Sequence, residues 1–359
     1  MCCKINANLI KNKRINKEIE RRINYLSSIG EVINSYLSNK NDSISIELNE
    51  AVQEAEKHNS WFSKSNILNA LEYWKNKLTK NILDEWIKEY DFNNQNSKVA
   101  IIMAGNFPLA GFHDLVSVII SGNNAIIKPS SDDKILIEFF VSYLHKEFAE
   151  TNKIVKIVFD KLVDFDKVIA TGSNNTFKYF EYYFREKKSL LRKNRTSLAV
   201  LSGNETDDEL RLLSDDVFMY FGLGCRNISK IFIPINYDLT KLSTIFNNYK
   251  HIINHHKYSN NYNYQKTIKL MNNEGFIDGG HFILSESENY APPISIIYFE
   301  YYTDIKEVNK KIMSKNNDIQ CIVSNLKIKN SIGFGHAQKP KLNQYADNID
   351  TLKFLLTTS

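Results

Sequence analysis

Apolar and polar positions change rhythm once along this chain. Over residues 1–95 the apolar residues recur at helical spacing, in 17–37, 47–57 and 65–90. In the last of these stretches Ile67, Leu68, Leu71, Trp74, Leu78, Leu83, Trp86 and Ile87 alternate with a charged face. That spacing predicts two helices. The polar run "DFNNQNS" (91–97) predicts a connector.

After residue 97 short apolar runs alternate with helical patterns. "KVAIIM" (98–103) predicts a strand, and Pro108 is placed to open the helix after it. "AIIK" (125–128) predicts a second strand. Ser130 or Ser131 then caps a helix reaching about 149, with Asp132 and Asp133 in its first turn. "KVIA" (167–170) predicts a third strand, ending in Thr171-Gly172-Ser173, and "LAVLS" (198–202) a fourth. A helix from Asp207 leads towards "YFGLGC". Then come the strand "KIFIP", a long polar helical region, the strand "ISIIYF" (294–299), a helix near 304–314 and the strand "IQCIVS" (319–324). Strand–helix alternation of this kind predicts two α/β units with doubly wound sheets behind a helical N-terminal region. The Asn-rich stretch 247–273 is compositional bias, not a repeat.

Composition narrows the class. The chain has 359 residues, 43% of them apolar and 24% charged, enough for a sizeable core and more than one domain. A net charge of +5 without a basic, aromatic-laced stripe points away from nucleic acid. The four cysteines, Cys2, Cys3, Cys225 and Cys321, form no CxxC pair and no Cys/His cluster. Neither a zinc site nor a disulfide scaffold is expected, and no metal. No apolar run approaches the length of a membrane span, and the charged N-terminal region lacks a signal peptide's apolar centre. The expected location is the cytoplasm.

Four places can carry chemistry, and each has an ordinary structural alternative. Cys225 follows Gly222 and Gly224, which let a backbone approach a ligand closely; it is either a displayed nucleophile or a small buried residue. Asn106, in "AGNFPLAGF" after the first strand, can aim its amide at an oxyanion or cap a helix. Lys128, Pro129, Ser130 and Ser131 end the second strand, where doubly wound sheets bind ligands. Gly172 and Ser173 open a helix whose N-terminus suits a pyrophosphate or nicotinamide, or is an ordinary turn and cap. His113 and His336 are either proton donors or packing residues.

Taken in order, "NFP", "GNNAIIKPSS", "TGS" and the FxxxGxxC pattern of "FMYFGLGC" (218–225) resemble the aldehyde dehydrogenase superfamily, and 294–324 resembles the stretch after its Glu-x-Phe-Gly-Pro motif. Within it, "AEKHNSWFSKSNILNALEYW" and "GFGHAQKPKLNQYADNIDTLKFLL" look like the acyl-CoA reductases related to the fatty acid reductase subunit of bacterial luminescence systems. The resemblance implies a helical region (1–97), a Rossmann-type NADP-binding domain (98–215), a catalytic domain (216–330) and a C-terminal segment (331–359). It implies Cys225 as nucleophile and Asn106 as oxyanion donor. Lys128, Ser131, Gly172 and Ser173 would hold NADPH. A fatty acyl thioester, on CoA or on a protein, would be reduced to the fatty aldehyde by a homo-oligomer.

Two departures refine this. Hydrolytic relatives carry a Glu general base before the strand "LAVLS"; here Leu191 falls near that place, and no acidic residue lies between Glu186 and Glu205. Making free acid requires an activated water, whereas reducing a thioester does not. Ser131 stands where NAD-preferring relatives often have a Glu, so the repulsion of a ribose 2′-phosphate is absent. The Glu-x-Phe-Gly-Pro motif has become "ENYAPPI", with Glu288 and Asn289 competing for its acidic position. The basic residues Lys187, Lys188, Arg192, Lys193 and Arg195 either meet phosphates or form a solvated face. Two other readings stay open: an acyl phosphate reductase on the same fold, and a non-catalytic subunit that carries an acyl group.

Overall fold

Four helices come first: α1 (Cys2–Leu37), α2 (Ser43–His58), α3 (Lys64–Lys77) and α4 (Lys80–Ile87). Asp42, Ser63 and Thr79 cap the last three by accepting from Ser45, Asn66 and Ile82 N–H. Each cap satisfies a donor that the first helical turn leaves over. The stripes bury Leu26, Ile29, Ile33, Leu48, Leu71 and Leu83 completely. Arg22 of α1 donates to the carbonyls of Ile119 and Asn123, both at 3.0 Å, placing a cation at the C-terminal end of a later helix. This computed structural model describes residues 2–92 and 96–357, with side chains from Lys17 onward. Part of the expected 91–97 connector, and the side chains of Cys2 and Cys3, lie outside that description.

A parallel sheet follows. Its parts are β1 (Lys98–Ile102), α5 (Phe112–Ile120), β2 (Asn124–Lys128), α6 (Lys134–Glu147), β3 (Val155–Ile157), β4 (Lys167–Thr171), α7 (Asn174–Tyr183) and β5 (Lys188–Arg192). The strand order is β3-β2-β1-β4-β5, with Ile101 of β1 in register with Ile127 on one side and Ile169 on the other. Burial on both faces explains why β1 and β4 read as continuous apolar runs. The chain winds outward from β1 both ways, so the strand order reverses between β1 and β4. In doubly wound sheets that switch point, at the strands' carboxyl ends, is where ligands bind.

Three expectations change here. The helix after β1 begins at Phe112, not Pro108, because Leu109 takes a left-handed φ of 60° and breaks the helical path. β3 and β5 were not foreseen. "VKI" is too short to stand out, and the apolar pair Leu190-Leu191 in β5 is flanked by basic residues. Finally, "LAVLS" is not the fourth strand of this sheet but part of the next.

The second unit, Asn194–Pro340, contains β6 (Thr196–Val200), α8 (Asp207–Phe218), β7 (Ile228–Pro234), α9 (Leu239–Phe246), α10 (His256–Met271), β8 (Ile277–Asp278), β9 (Ile283–Glu286), β10 (Ile296–Tyr302), α11 (Ile305–Ser314) and β11 (Ile319–Val323). Its sheet runs β11-β6-β7-β10-β9-β8, parallel except between β8 and β9. Leu198, Val200, Phe232, Val308 and Ile322 form one core cluster there. Thr206 and Glu209 make a reciprocal capping box that starts α8.

The first unit is Met1–Lys193 completed by Lys341–Ser359, which carries α12 (Thr351–Leu356). Lys167 Nζ donates to the carbonyls of Leu355 and Thr357 at 2.8 and 2.7 Å, and Asn123 also donates to Leu355. The division between units therefore falls at 193/194, upstream of the expected 215/216. The expected segment 331–359 is shared, 331–340 with one unit and 341–359 with the other. Among the described residues no helix is long and apolar enough to cross a membrane.

Candidate active site

Three of the expected positions share the carboxyl edge of the first sheet. Asn106 is exposed in the loop after β1. Asp133, buried below that loop, accepts from Leu109 N–H at 2.7 Å and holds it in place. Burial raises the Asp133 carboxyl well above the usual range, against the bonds from Leu109 and Ala110 N–H. The next turn touches the same loop: a Cβ on Gly105 would lie 2.4 Å from Ser130 Oγ. Ser130 caps the turn by accepting from Asp132 N–H, and Ser131 beside it is exposed. Lys128 Nζ donates to the Asp160 carbonyl at 2.9 Å, using one of its three N–H donors. After β4, Gly172 packs so closely that a Cβ would meet the Phe180 ring at 2.9 Å. Ser173 then caps α7 by accepting from Thr176 N–H.

Cys225 belongs to the second unit, in the loop between α8 and β7. That loop is unusual in its backbone. Tyr220, Phe221 and Gly222 are left-handed in succession, with φ of 55°, 58° and 73°. For the two aromatic residues this is a strained conformation, and strain of that kind persists only where the surroundings enforce it. Asn227 does so. Its Nδ2 donates to the carbonyls of Asp216, Val217 and Met219 at 3.2, 3.1 and 2.8 Å, while its Oδ1 accepts from Gly224 N–H at 2.8 Å. Ser197 Oγ of β6 fixes the Cys225 carbonyl at 2.9 Å. The Cys225 thiol is left exposed, unlike the buried Cys321, whose thiol burial pushes up to about 11.

The neighbouring arginine is committed elsewhere. Arg226 Nε donates to the Ala337 carbonyl at 2.7 Å, and its Nη2 lies 3.9 Å from Cys321 Sγ. Asp216 of α8, fully buried, accepts from Gly335 and Ala337 N–H at 2.6 and 2.9 Å. Burial pushes its carboxyl up to about 7. Asp216 and Arg226 thus bind the "GFGHAQ" segment against the cysteine loop from two sides. His336, exposed in that segment, is set between two backbone N–H groups committed to Asp216.

Other candidates resolve as packing. His113 Nε2 meets the Leu342 carbonyl at 3.0 Å, and its ring lies among Trp74, Trp86 and Tyr345. Arg192, expected either at phosphates or on a solvated face, is 5% exposed and does neither. Its Nη1 reaches both oxygens of Asp114 at 2.6 Å, and its Nη2 bonds Thr351. Lys187 bonds the Phe165 carbonyl and sits over its ring. Leu191 packs on the cluster of Ala100, Val168 and Ala170. Glu288 and Asn289 are both exposed, in a segment held by the bond from Ser229 Oγ to the Tyr290 carbonyl and by Lys230, which bonds the Ser287 carbonyl.

Sequence reading missed Asn227, Asp216, Asp133 and Asp114. Asn227, two residues past the cysteine in "GCRN", carried a usable signal, since Asn is depleted in strands. The three aspartates carried none, because a helix-borne Asp reads as surface until its neighbours are known.

By sequence, residues 31–290 match the LuxC family, described as acyl-CoA reductase. No curated protein matches the chain in sequence. Among solved structures, aldehyde dehydrogenase 21 from Physcomitrella patens, in complex with succinate, aligns with a TM-score of 0.66 and 13% identity over 94% of this chain and 83% of that one. Succinic semialdehyde dehydrogenase from Streptococcus pyogenes, in complex with NADP+, gives 0.62 and 14% over 93% and 82%. A mutant of aldehyde dehydrogenase C from Pseudomonas syringae, in complex with NAD+ and octanal, gives 0.62 and 13% over 86% and 72%. At these identities the structures establish the fold, that of the aldehyde dehydrogenases. The sequence match spans most of the chain, and on that ground the protein belongs to the LuxC family of acyl-CoA reductases.

Proposed function

We propose that this protein is an NADPH-dependent reductase of acyl-CoA thioesters, forming the aldehyde through an acyl group carried on Cys225. The observation that carries the reading is the exposed Cys225 thiol on a strained loop braced by Asn227, in a chain of this family. The Cys225 thiolate attacks the thioester carbonyl carbon. The bond from that carbon to the CoA sulfur breaks, and CoA leaves as the thiolate and takes up a proton. When bound, NADPH would supply a hydride to the same carbon. The oxyanion of the thiohemiacetal so formed re-forms the carbonyl, its bond to Cys225 breaks with the sulfur leaving as the thiolate, and the aldehyde departs. Asn106 donates a hydrogen bond to the carbonyl oxygen, on which negative charge builds in both steps.

The first sheet suits a dinucleotide. Its switch point, the Gly172 turn and the N-terminus of the ten-residue α7 offer the backbone donors that a pyrophosphate needs. Lys128 has two further N–H donors for ribose or phosphate, and Ser131 presents no carboxylate against a 2′-phosphate. Solved relatives of this fold are in complex with NAD+ or NADP+. Leu191 falls near the place where hydrolytic relatives carry the Glu that activates water, and the segment between Glu186 and Glu205 has no carboxylate, so the acyl group on Cys225 is long-lived until it is reduced.

The test is intact-mass analysis after mixing with acyl-CoA in the absence of NADPH. One acyl adduct is expected, on Cys225 and absent in Cys225→Ala, and NADPH then discharges it as aldehyde. An adduct on Cys321, rapid release of free acid, or turnover of an acyl phosphate in preference to the thioester would overturn the proposal.

A further inference from the structure

We infer that the turn joining α2 to α3 forms a wall of the cofactor site, and that His58 in it selects NADPH over NADH by receiving the ribose 2′-phosphate beside Ser131. This rests on the cofactor reading above. The turn begins "HNSWF" (58–62), a stretch of the helical region that the reaction itself does not employ.

His58 ends α2, and its Nε2 lies 2.7 Å from the Ser131 carbonyl. A carbonyl only accepts, so Nε2 carries a hydrogen there. Nδ1 is left to take up a second proton and donate to an anion. The turn is fixed in that place. Asn59, 8% exposed, extends its Nδ2 to the Asp132 carbonyl at 3.5 Å and accepts from Trp61 N–H through Oδ1 at 3.1 Å. Phe62 N–H then donates to the Asn59 carbonyl at 2.8 Å. His58 and Ser131 both remain exposed, so a group seated at Ser131 has the imidazole as its neighbour.

The strand end by itself does not attract a phosphate. Ser131 removes a repulsion without supplying a charge. Lys128 is already bonded to the Asp160 carbonyl, and the exposed Asp132 carboxylate comes next in the chain. A phosphate monoester carries about −1.5 to −2 charges at neutral pH and calls for a further cation. The basic end of α2, Lys57 and His58, supplies it, and also offsets the negative end of the helix dipole that would otherwise face the phosphate. NADH, with a plain 2′-hydroxyl, gains little from that charge.

The experiment measures NADPH and NADH binding to the full chain by fluorescence, with 2′,5′-ADP and 5′-AMP as competing probes, in wild type, His58→Gln and His58→Arg. Glutamine keeps an N–H donor for the Ser131 carbonyl without the charge, whereas arginine keeps both. A hydrogen bond between charged groups is among the stronger ones, so His58→Gln should weaken NADPH and 2′,5′-ADP by at least about tenfold. NADH and 5′-AMP should stay within about twofold. His58→Arg should keep the wild-type preference. Equal losses for both cofactors would make His58 a brace of the Ser131 turn. Unchanged NADPH binding in His58→Gln, or a loss in His58→Arg as large as in His58→Gln, would show that its charge does not matter. Each of these overturns the inference and leaves the NADPH reading standing. A wild type that binds NADH more tightly than NADPH overturns both.

Discussion

Replacing Asn227 with alanine should release the loop that displays the nucleophile. Asn227 is 3% exposed and serves four backbone groups. Its two best contacts, both 2.8 Å, are to the Met219 carbonyl and Gly224 N–H, on either side of the left-handed turn. Each buried hydrogen bond contributes about 0.5–1.5 kcal/mol net, and a stranded buried partner costs about 1–3 kcal/mol. Two such contacts put the loss at about 2–4 kcal/mol. For a unit of this size each kcal/mol lowers Tm by about 2–4 °C, so a fall of roughly 5–15 °C is expected. The functional effect should be larger. Without the brace Tyr220 and Phe221 can relax from their left-handed conformations, which cost on the order of 1–3 kcal/mol each, and the thiol moves with them. A displacement of about 1 Å at a reacting centre costs about 10²-fold. Single-turnover acylation at saturating acyl-CoA, followed by intact mass, should slow by that order, while NADPH affinity measured by fluorescence stays the same. Asn227→Asp keeps the acceptor for Gly224 but sets a carboxylate against three carbonyls, so it should not rescue. Acylation within threefold of wild type, with Tm within about 2 °C, would refute the bracing role.

Other outcomes follow from the same geometry. Asn106→Ala should lower kcat by about 10²–10³ in acylation and hydride transfer alike; a loss below about threefold in either step would make Asn106 a turn residue. Ser131→Glu should turn the preference from NADPH towards NADH, read as the ratio of kcat/KM values, and a wild type that strongly prefers NADH would contradict this account of the strand end. The folded-state Asp216 carboxyl is raised from its ordinary value of 3.8 to about 7. Between these values the folded chain binds more protons than the unfolded one, so on Asp216's account stability is greatest below pH 4 and declines as pH rises to 7. Asp216→Asn should therefore gain Tm relative to wild type over that window, and a difference independent of pH from 4 to 8 would count against a neutral buried carboxyl.

The chain's periodicity by itself determined the helical N-terminal region, the alternating strands and helices, and the strand ends at which Asn106, Lys128, Ser131, Gly172 and Ser173 fall. This is because burial on one helical stripe or on both faces of a parallel strand leaves a mark in a local window. The motif order determined Cys225 as the candidate nucleophile, and the family match agrees with that superfamily. Tertiary structure alone decided what each polar residue inside those elements is for. Arg192 read as a phosphate contact or part of a solvated face and is buried in a pair with Asp114; Asp133 read as a helix-start charge and orders the Asn106 loop. "LAVLS" joined the second sheet because its hydrogen-bonding partners, β7 and β11, lie far along the chain. Strand pairing, the burial of a charge and the bracing of Cys225 by Asn227 and Asp216 depend on which distant groups are brought together. A local pattern of residue types cannot encode that.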